Sequence, residues 1–144
     1  MDPLKEPTDV RIAALRGLAR RRDPRVVEIA ERFLQSTDTE LREEALIALG
    51  TLRSAEGLAL LRRLWAQEGL SNTERIITGI MMGRHIDKAV ESFLELQLRQ
   101  DNDWKIPIAI ALADMGNRCG RRELRRALES ANISEKLRAR ISTW

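Results

Sequence analysis

Cysteine is almost absent from this chain: Cys119 is the only one in 144 residues. No internal disulfide can form, so stability must come from packing, and a reducing cytoplasm is the expected setting. Histidine is equally scarce. His85 stands alone beside Arg84, where a metal site would need distant carboxylates and a catalytic triad would need a nucleophile close by. There is no tyrosine, and Phe33, Phe93, Trp65, Trp104 and Trp144 are the whole aromatic set, thin for a base-stacking platform. No run of 18 apolar residues occurs, which argues against a membrane-spanning helix. The opening Met1-Asp2-Pro3-Leu4-Lys5-Glu6-Pro7 has no apolar core, so no secretory signal is expected. Phosphate-loop, Gly-x-Ser-x-Gly and Glu-x-x-His patterns are missing as well. The expectation is a non-enzymatic chain with no catalytic residue, no cofactor and no metal.

Charge and apolar residues are plentiful. Hydrophobic residues make up 43% and charged residues 33%, a composition that folds and stays in solution. The net charge of +3 is uneven. Residues 1–72 hold twelve basic and twelve acidic side chains, whereas residues 118–144 hold eight and three. Only Lys5, Lys88, Lys105 and Lys136 among the 25 basic residues are lysine. Arginine dominance favours forked contacts to carboxylate or phosphate, although a GC-rich coding sequence enriches arginine too.

The chain also repeats itself. Leu41-Arg42-Glu43-Glu44-Ala45-Leu46-Ile47-Ala48-Leu49-Gly50 has an echo 31 residues earlier in Val10 to Ala19, and weaker echoes end at Gly83 and Gly116. A period of 31 to 33 residues marks a stacked repeat protein. Each repeat reads as a helix pair, A then B, joined by a tight turn. Helix A1 covers 8–21 with Thr8 or Asp9 as cap, and Val10, Ala13, Ala14, Leu15 and Leu18 as its buried stripe. Asp23 and Pro24 open B1. Thr37 with Glu40 and Ser71 with Glu74 fit capping boxes. Ser54, Asp87 and Asp103 are further caps, and Gly50, Gly83 and Gly116 close the A helices. The B helices are expected to be apolar on more than one face, each lying between its own A helix and the neighbouring repeats. The expected repeats are 8–36, 37–69, 70–101 and 102–131, preceded by a loose tail at 1–7 and followed by a cap helix at 134–144, all in one domain spanning 8–144.

The pattern apolar-Arg-x-x-Ala-Leu-x-Ala-Leu-Gly, followed by a small-residue turn and a Leu-rich helix, resembles HEAT-like repeats of the short bacterial type first noted in phycobilisome lyases. Leu41–Gly50 carry it almost fully. Val10–Ala19 carry it with Gly17 in place of Ala. Glu74, Thr78 and Gly79 depart from it in the third copy, and Pro107 and Asp114 in the fourth. The resemblance covers about residues 8–131. It implies an all-α, right-handed α-solenoid of about four helix pairs plus a terminal capping helix. Such repeats serve scaffolds, chaperones, lyase subunits and some DNA glycosylases, so fold alone does not set the function.

Two arginine columns are candidates for partner binding. Arg22, Arg53, Arg84 and Arg118, spaced 31, 31 and 34 residues apart, fall at the A–B turns. With Arg20, Arg21, Arg121 and Arg122 they make an expected basic ridge suited to phosphates or to an acidic protein. The plainer account is that turns are exposed and arginine is abundant. The second column, on the B helices, includes Arg32, Arg63, Arg122, Arg125 and Arg126, interleaved with Glu28, Glu91, Glu95 and Glu129. Mixed sign suits a protein better than DNA. Cys119 sits among four arginines at 118, 121, 122 and 125, so it is either a reactive thiol or a small residue packing a turn. Trp144 either covers the open end of the stack or invites a homodimer through the C-terminal end. The expected function is a protein-binding module (adaptor, assembly chaperone or inhibitor) with an acidic protein partner, in the cytoplasm and not at a membrane. Nucleic-acid binding through the basic ridge is the alternative, and a lyase-type subunit using Cys119 the third reading.

Overall fold

A computed structural model describes residues 7–85, 87–100 and 103–129. Among them the chain is all-α, with eight α-helices: α1 Thr8–Arg20, α2 Arg25–Phe33, α3 Thr39–Leu52, α4 Ala55–Ala66, α5 Asn72–Met81, α6 Lys88–Leu98, α7 Lys105–Asp114 and α8 Arg118–Leu128. A single 3₁₀ turn, Gly83–His85, precedes α6. The expected cap helix at 134–144, and Trp144 with it, lies outside the described residues, as does the tail before Pro7.

The helices fall into two compact units, Met1–Met82 and Gly83–Trp144. In the N-terminal unit α3 is the hub: it packs against α1, α2, α4 and α5. Its sequence explains this position. Leu41, Ala45, Leu46, Ala48, Leu49 and Leu52 are all buried, and at 100° per residue they cover an arc of about 160°, a broad apolar face. The B helices α2 and α4 bury one stripe each, Val26/Ala30/Phe33 and Gly57/Leu60/Leu61/Leu64. This corrects the expectation that B helices would be apolar on several faces. In this unit it is the A helices α1, α3 and α5 that stack in series, and each B helix flanks the two A helices adjacent to it in sequence. In the C-terminal unit α7 and α8 form a close hairpin packed on α6. A Cβ at Gly120 would come within 2.6 Å of the Leu112 Cβ and 2.7 Å of the Ala113 nitrogen, so this crossing distance requires glycine.

Several local signals fall where the sequence puts them. Ser54 Oγ accepts from the Gly57 N–H, Ser71 Oγ from Glu74 and Asp87 Oδ1 from Val90. Others are corrected. Asp38, not Thr37, caps α3, accepting from the Glu40 N–H at 3.0 Å. Helix α1 begins after Pro7 with no side-chain cap, and α7 begins after Trp104 with none, although Asp103 was the expected cap. Gly50 does not end α3, which runs on to Leu52. It is small because Met81 of α5 presses against it, with the Met81 Cβ 2.6 Å from where a Gly50 Cβ would stand. Pro107 is the third residue of α7, where its missing N–H has no intrahelical acceptor to lose.

Candidate functional site

Arginines divide into those that hold the fold and those that do not. Arg11, Arg42 and Arg75 occupy the same place in successive A helices, 31 and 33 residues apart. Arg11 stacks over the Phe33 ring at 5.1 Å. Arg42 donates to the Ser36 carbonyl at 2.8 Å, just past the end of α2, and faces the buried Glu74 carboxylate at 3.5 Å. Arg75 stacks on Trp65 at 4.8 Å and donates to the Trp65 and Gln67 carbonyls at the end of α4. The last carbonyls of a helix lack intrahelical donors. A guanidinium from the next A helix donates here, Arg42 latching the second repeat to the first and Arg75 the third to the second. Arg16 adds a fork to Glu44, tying α1 to α3.

The turn arginines are different. Arg22 and Arg53 end α1 and α3 in the left-handed conformation, with φ of 57° and 54°. At Arg22 the backbone closes a full C-terminal motif: the Asp23 N–H donates to the Leu18 carbonyl and the Arg22 N–H to Ala19. Both side chains are exposed, and neither has an ion pair among the described residues. They line one open groove of about 370 Å³ together with Pro24, Val27, Leu52, Ser54, Ala55 and Glu56. Of the four arginines in the sequence column, these two are brought together. Arg84 follows Gly83 in the 3₁₀ turn, and its side chain is outside the described residues. Arg118 is the first residue of α8.

Helix α8 carries the second cluster. At 100° per residue, Arg118, Arg121, Arg122, Arg125 and Arg126 share one exposed arc. Glu123 at its edge answers Arg126 at 3.1 Å and Lys105 at 3.8 Å. The other four arginines have no ion pair among the described residues. On α2, by contrast, Arg32 pairs with Glu28, and Arg25 forks onto Asp23. The Arg25 guanidinium, then its backbone N–H, hold the Asp23 carboxyl down at about 2. Arg62 and Arg63 of α4 are exposed.

Asn117 is a residue that sequence reasoning missed. Its Oδ1 accepts from the Cys119 and Gly120 N–H groups and starts α8. Its Nδ2 donates to Glu91 at 2.8 Å and Glu95 at 2.5 Å on α6. One amide thus uses both donors and its acceptor, which no carboxylate could do between two others. A helical pair at i, i+4 facing a polar residue after a C-terminal glycine was the available signal. Cys119 is half-buried in the first turn of α8, not in the connecting loop, and His85 is exposed. Among the described residues no group of three His, Cys, Asp or Glu side chains is placed to hold a metal ion. No helix among them is long and apolar enough to cross a membrane.

Residues 4–78 match the family model for HEAT repeats, the stretch in which the latching arginines and the A-helix stack are found. The chain belongs to the HEAT-repeat family. A search of the curated proteins finds no match. HEAT repeats are commonly protein-interaction modules.

Proposed function

We propose that this HEAT-repeat chain is a non-enzymatic protein-binding module, an adaptor, assembly chaperone or inhibitor, that engages an acidic surface of its partner. One observation carries the reading. Arg16, Arg25, Arg32, Arg42 and Arg126 have carboxylate partners within the chain. Arg22, Arg53, Arg62 and Arg63 are exposed without an ion pair among the described residues, although they stand on rigid helices and turns. Guanidinium forks fit carboxylates in two-point contacts. Capture by the full chain of one defined protein, lost when Arg62 and Arg63 are changed to Glu at unchanged helicity, is the expected result.

The α8 arc supports a second reading, nucleic-acid binding, because its arginines outnumber the nearby carboxylates. A labelled 20-base-pair duplex titrated at two salt concentrations separates the two. Binding that weakens steeply with salt would favour the duplex, with the slope counting phosphate contacts. No binding at low salt leaves the protein partner.

A further inference from the structure

We propose that the groove between the first two A–B turns is the recognition site for an extended acidic peptide segment of a partner protein, Arg22 and Arg53 taking its carboxylates and Val27 and Leu52 an apolar side chain between them. The inference deepens the protein-binding reading above and rests on it.

The backbone gives the first argument. A left-handed residue ends each A helix of the described chain. In the C-terminal turns that residue is Gly83 (φ 58°) and Gly116 (φ 85°), which adopt it without strain; in the N-terminal turns it is Arg22 and Arg53. The Cβ of arginine makes this conformation unfavourable. Two successive turns therefore carry a strained residue where glycine would close the helix equally well. What arginine adds is a guanidinium, and both guanidinium side chains border the same groove. Strain at a side chain without an internal partner points to an external one.

The groove gives the second argument. At about 370 Å³ it is near the small end of the range of roughly 300–1,000 Å³ for ligand pockets, too small for a docked helix and large enough for a few side chains. Pro24, Val27 and Leu52 provide an apolar floor, and two cations face a single anion, Glu56. The apolar floor and the Glu56 carboxylate disfavour a phosphate backbone. Packed helices such as α1 and α3 lie about 8–10 Å apart, which sets the spacing of the two arginine roots. In an extended peptide alternate residues share a side, at about 3.3 Å per residue. A Glu-x-Leu-x-Glu segment thus puts its carboxylates about 13 Å apart at the backbone, within reach of two long arginine side chains, with Leu between them over the floor.

The test is fluorescence polarisation with the full chain and three labelled peptides in a Gly/Ser background: Glu-x-Leu-x-Glu, Gln-x-Leu-x-Gln and Glu-x-Ser-x-Glu. The first should bind at least tenfold more tightly than either control. The R22G/R53G variant should lose that preference while melting at or above the parent temperature, since glycine relieves both turns. R22N/R53N serves as a second variant, because asparagine tolerates the left-handed region. No preference among the peptides, or parental binding by either variant, overturns the groove. R121E/R122E/R125E distinguishes the two levels. Acidic-peptide binding lost there and kept in R22G/R53G means a protein-binding chain that uses α8. No peptide binding by any form, with salt-sensitive duplex binding, overturns the protein-binding reading as well.

Discussion

The first two A–B turns and the last two solve one backbone problem in two ways. Each must carry a left-handed residue so that the chain can turn out of an A helix into the next helix. Arg22 and Arg53 do it in the first pair, after α1 and α3; Gly83 and Gly116 do it in the second, after α5 and α7. The turn after α7 shows the same hydrogen bonds as the turn after α1: Asn117 N–H to Leu112, Gly116 N–H to Ala113. The turn geometry is thus independent of the side chain. It is held by the helices beneath it, and the residue at its apex is free to serve something else.

The most damaging change should be one beneath the turns rather than in them. Leu46 is fully buried in α3, the helix that touches every other helix of its unit. Leu46→Ala should cost about 2–5 kcal/mol, measured by urea unfolding. A loss under about 1 kcal/mol would mean that α3 is not the hub, and the turns would need their own support.

Next in size is Asn117→Asp. The change keeps an acceptor for the start of α8 but replaces two donors with a third carboxylate beside Glu91 and Glu95. It should cost about 1–3 kcal/mol at neutral pH and recover as acid protonates the cluster. Parental stability at neutral pH would show that the amide donors contribute nothing.

The reciprocal swap of turn residues tests the comparison itself. Gly116→Arg should cost about 1–2 kcal/mol through Cβ strain alone. The new side chain also enters near the Arg121 guanidinium, which lies 3.9 Å from a Gly116 Cβ position. Arg22→Gly and Arg53→Gly should each change stability by between zero and about 1 kcal/mol in the favourable direction, relief of strain being partly offset by the greater entropy of the unfolded chain. Thermal melts suffice. If the arginine-to-glycine changes destabilise instead, the guanidinium groups hold the fold, and the turns are not interchangeable.

Much of this architecture was legible in the sequence because it is local and periodic. The spacing of Leu15, Leu46 and Ile77 follows the repeat, and Ser54, Ser71 and Asp87 cap because each stands three residues before a waiting N–H. Where the reading failed, the deciding partner is either adjacent or remote. In Thr37-Asp38-Thr39 three oxygens compete for one N–H, and backbone angles choose between them. Gly50 resembles a helix end until Met81, 31 residues on, packs against it. The site divides the same way. Arg22 and Arg53 were visible as a spaced pair, but a spacing count does not separate the left-handed residue from its neighbour, which is why Arg84 and Arg118 were grouped with them. The role of Asn117 depends on Glu91 and Glu95, which only the fold brings to it.

The smallest expected effect concerns how the two units keep carboxylates. The C-terminal unit places a neutral amide between Glu91 and Glu95. The N-terminal unit leaves Glu43 half-buried beside Glu74, and burial first, then the Glu74 charge, raise the Glu43 carboxyl above its ordinary value of 4.5. A raised carboxyl means that the folded chain holds the proton more tightly than the unfolded chain. Stability from this group is therefore present at low pH and falls as pH rises above 4.5 through the folded value. Glu43→Gln removes the charge without changing the shape. It should raise the neutral-pH melting temperature slightly and flatten the stability profile just above pH 4.5, leaving the acid end unchanged. A variant less stable than the parent at neutral pH would show that Arg42 draws more from the Glu43 charge than burial takes away, and the N-terminal unit would then manage its carboxylates as fully as Asn117 does in the other.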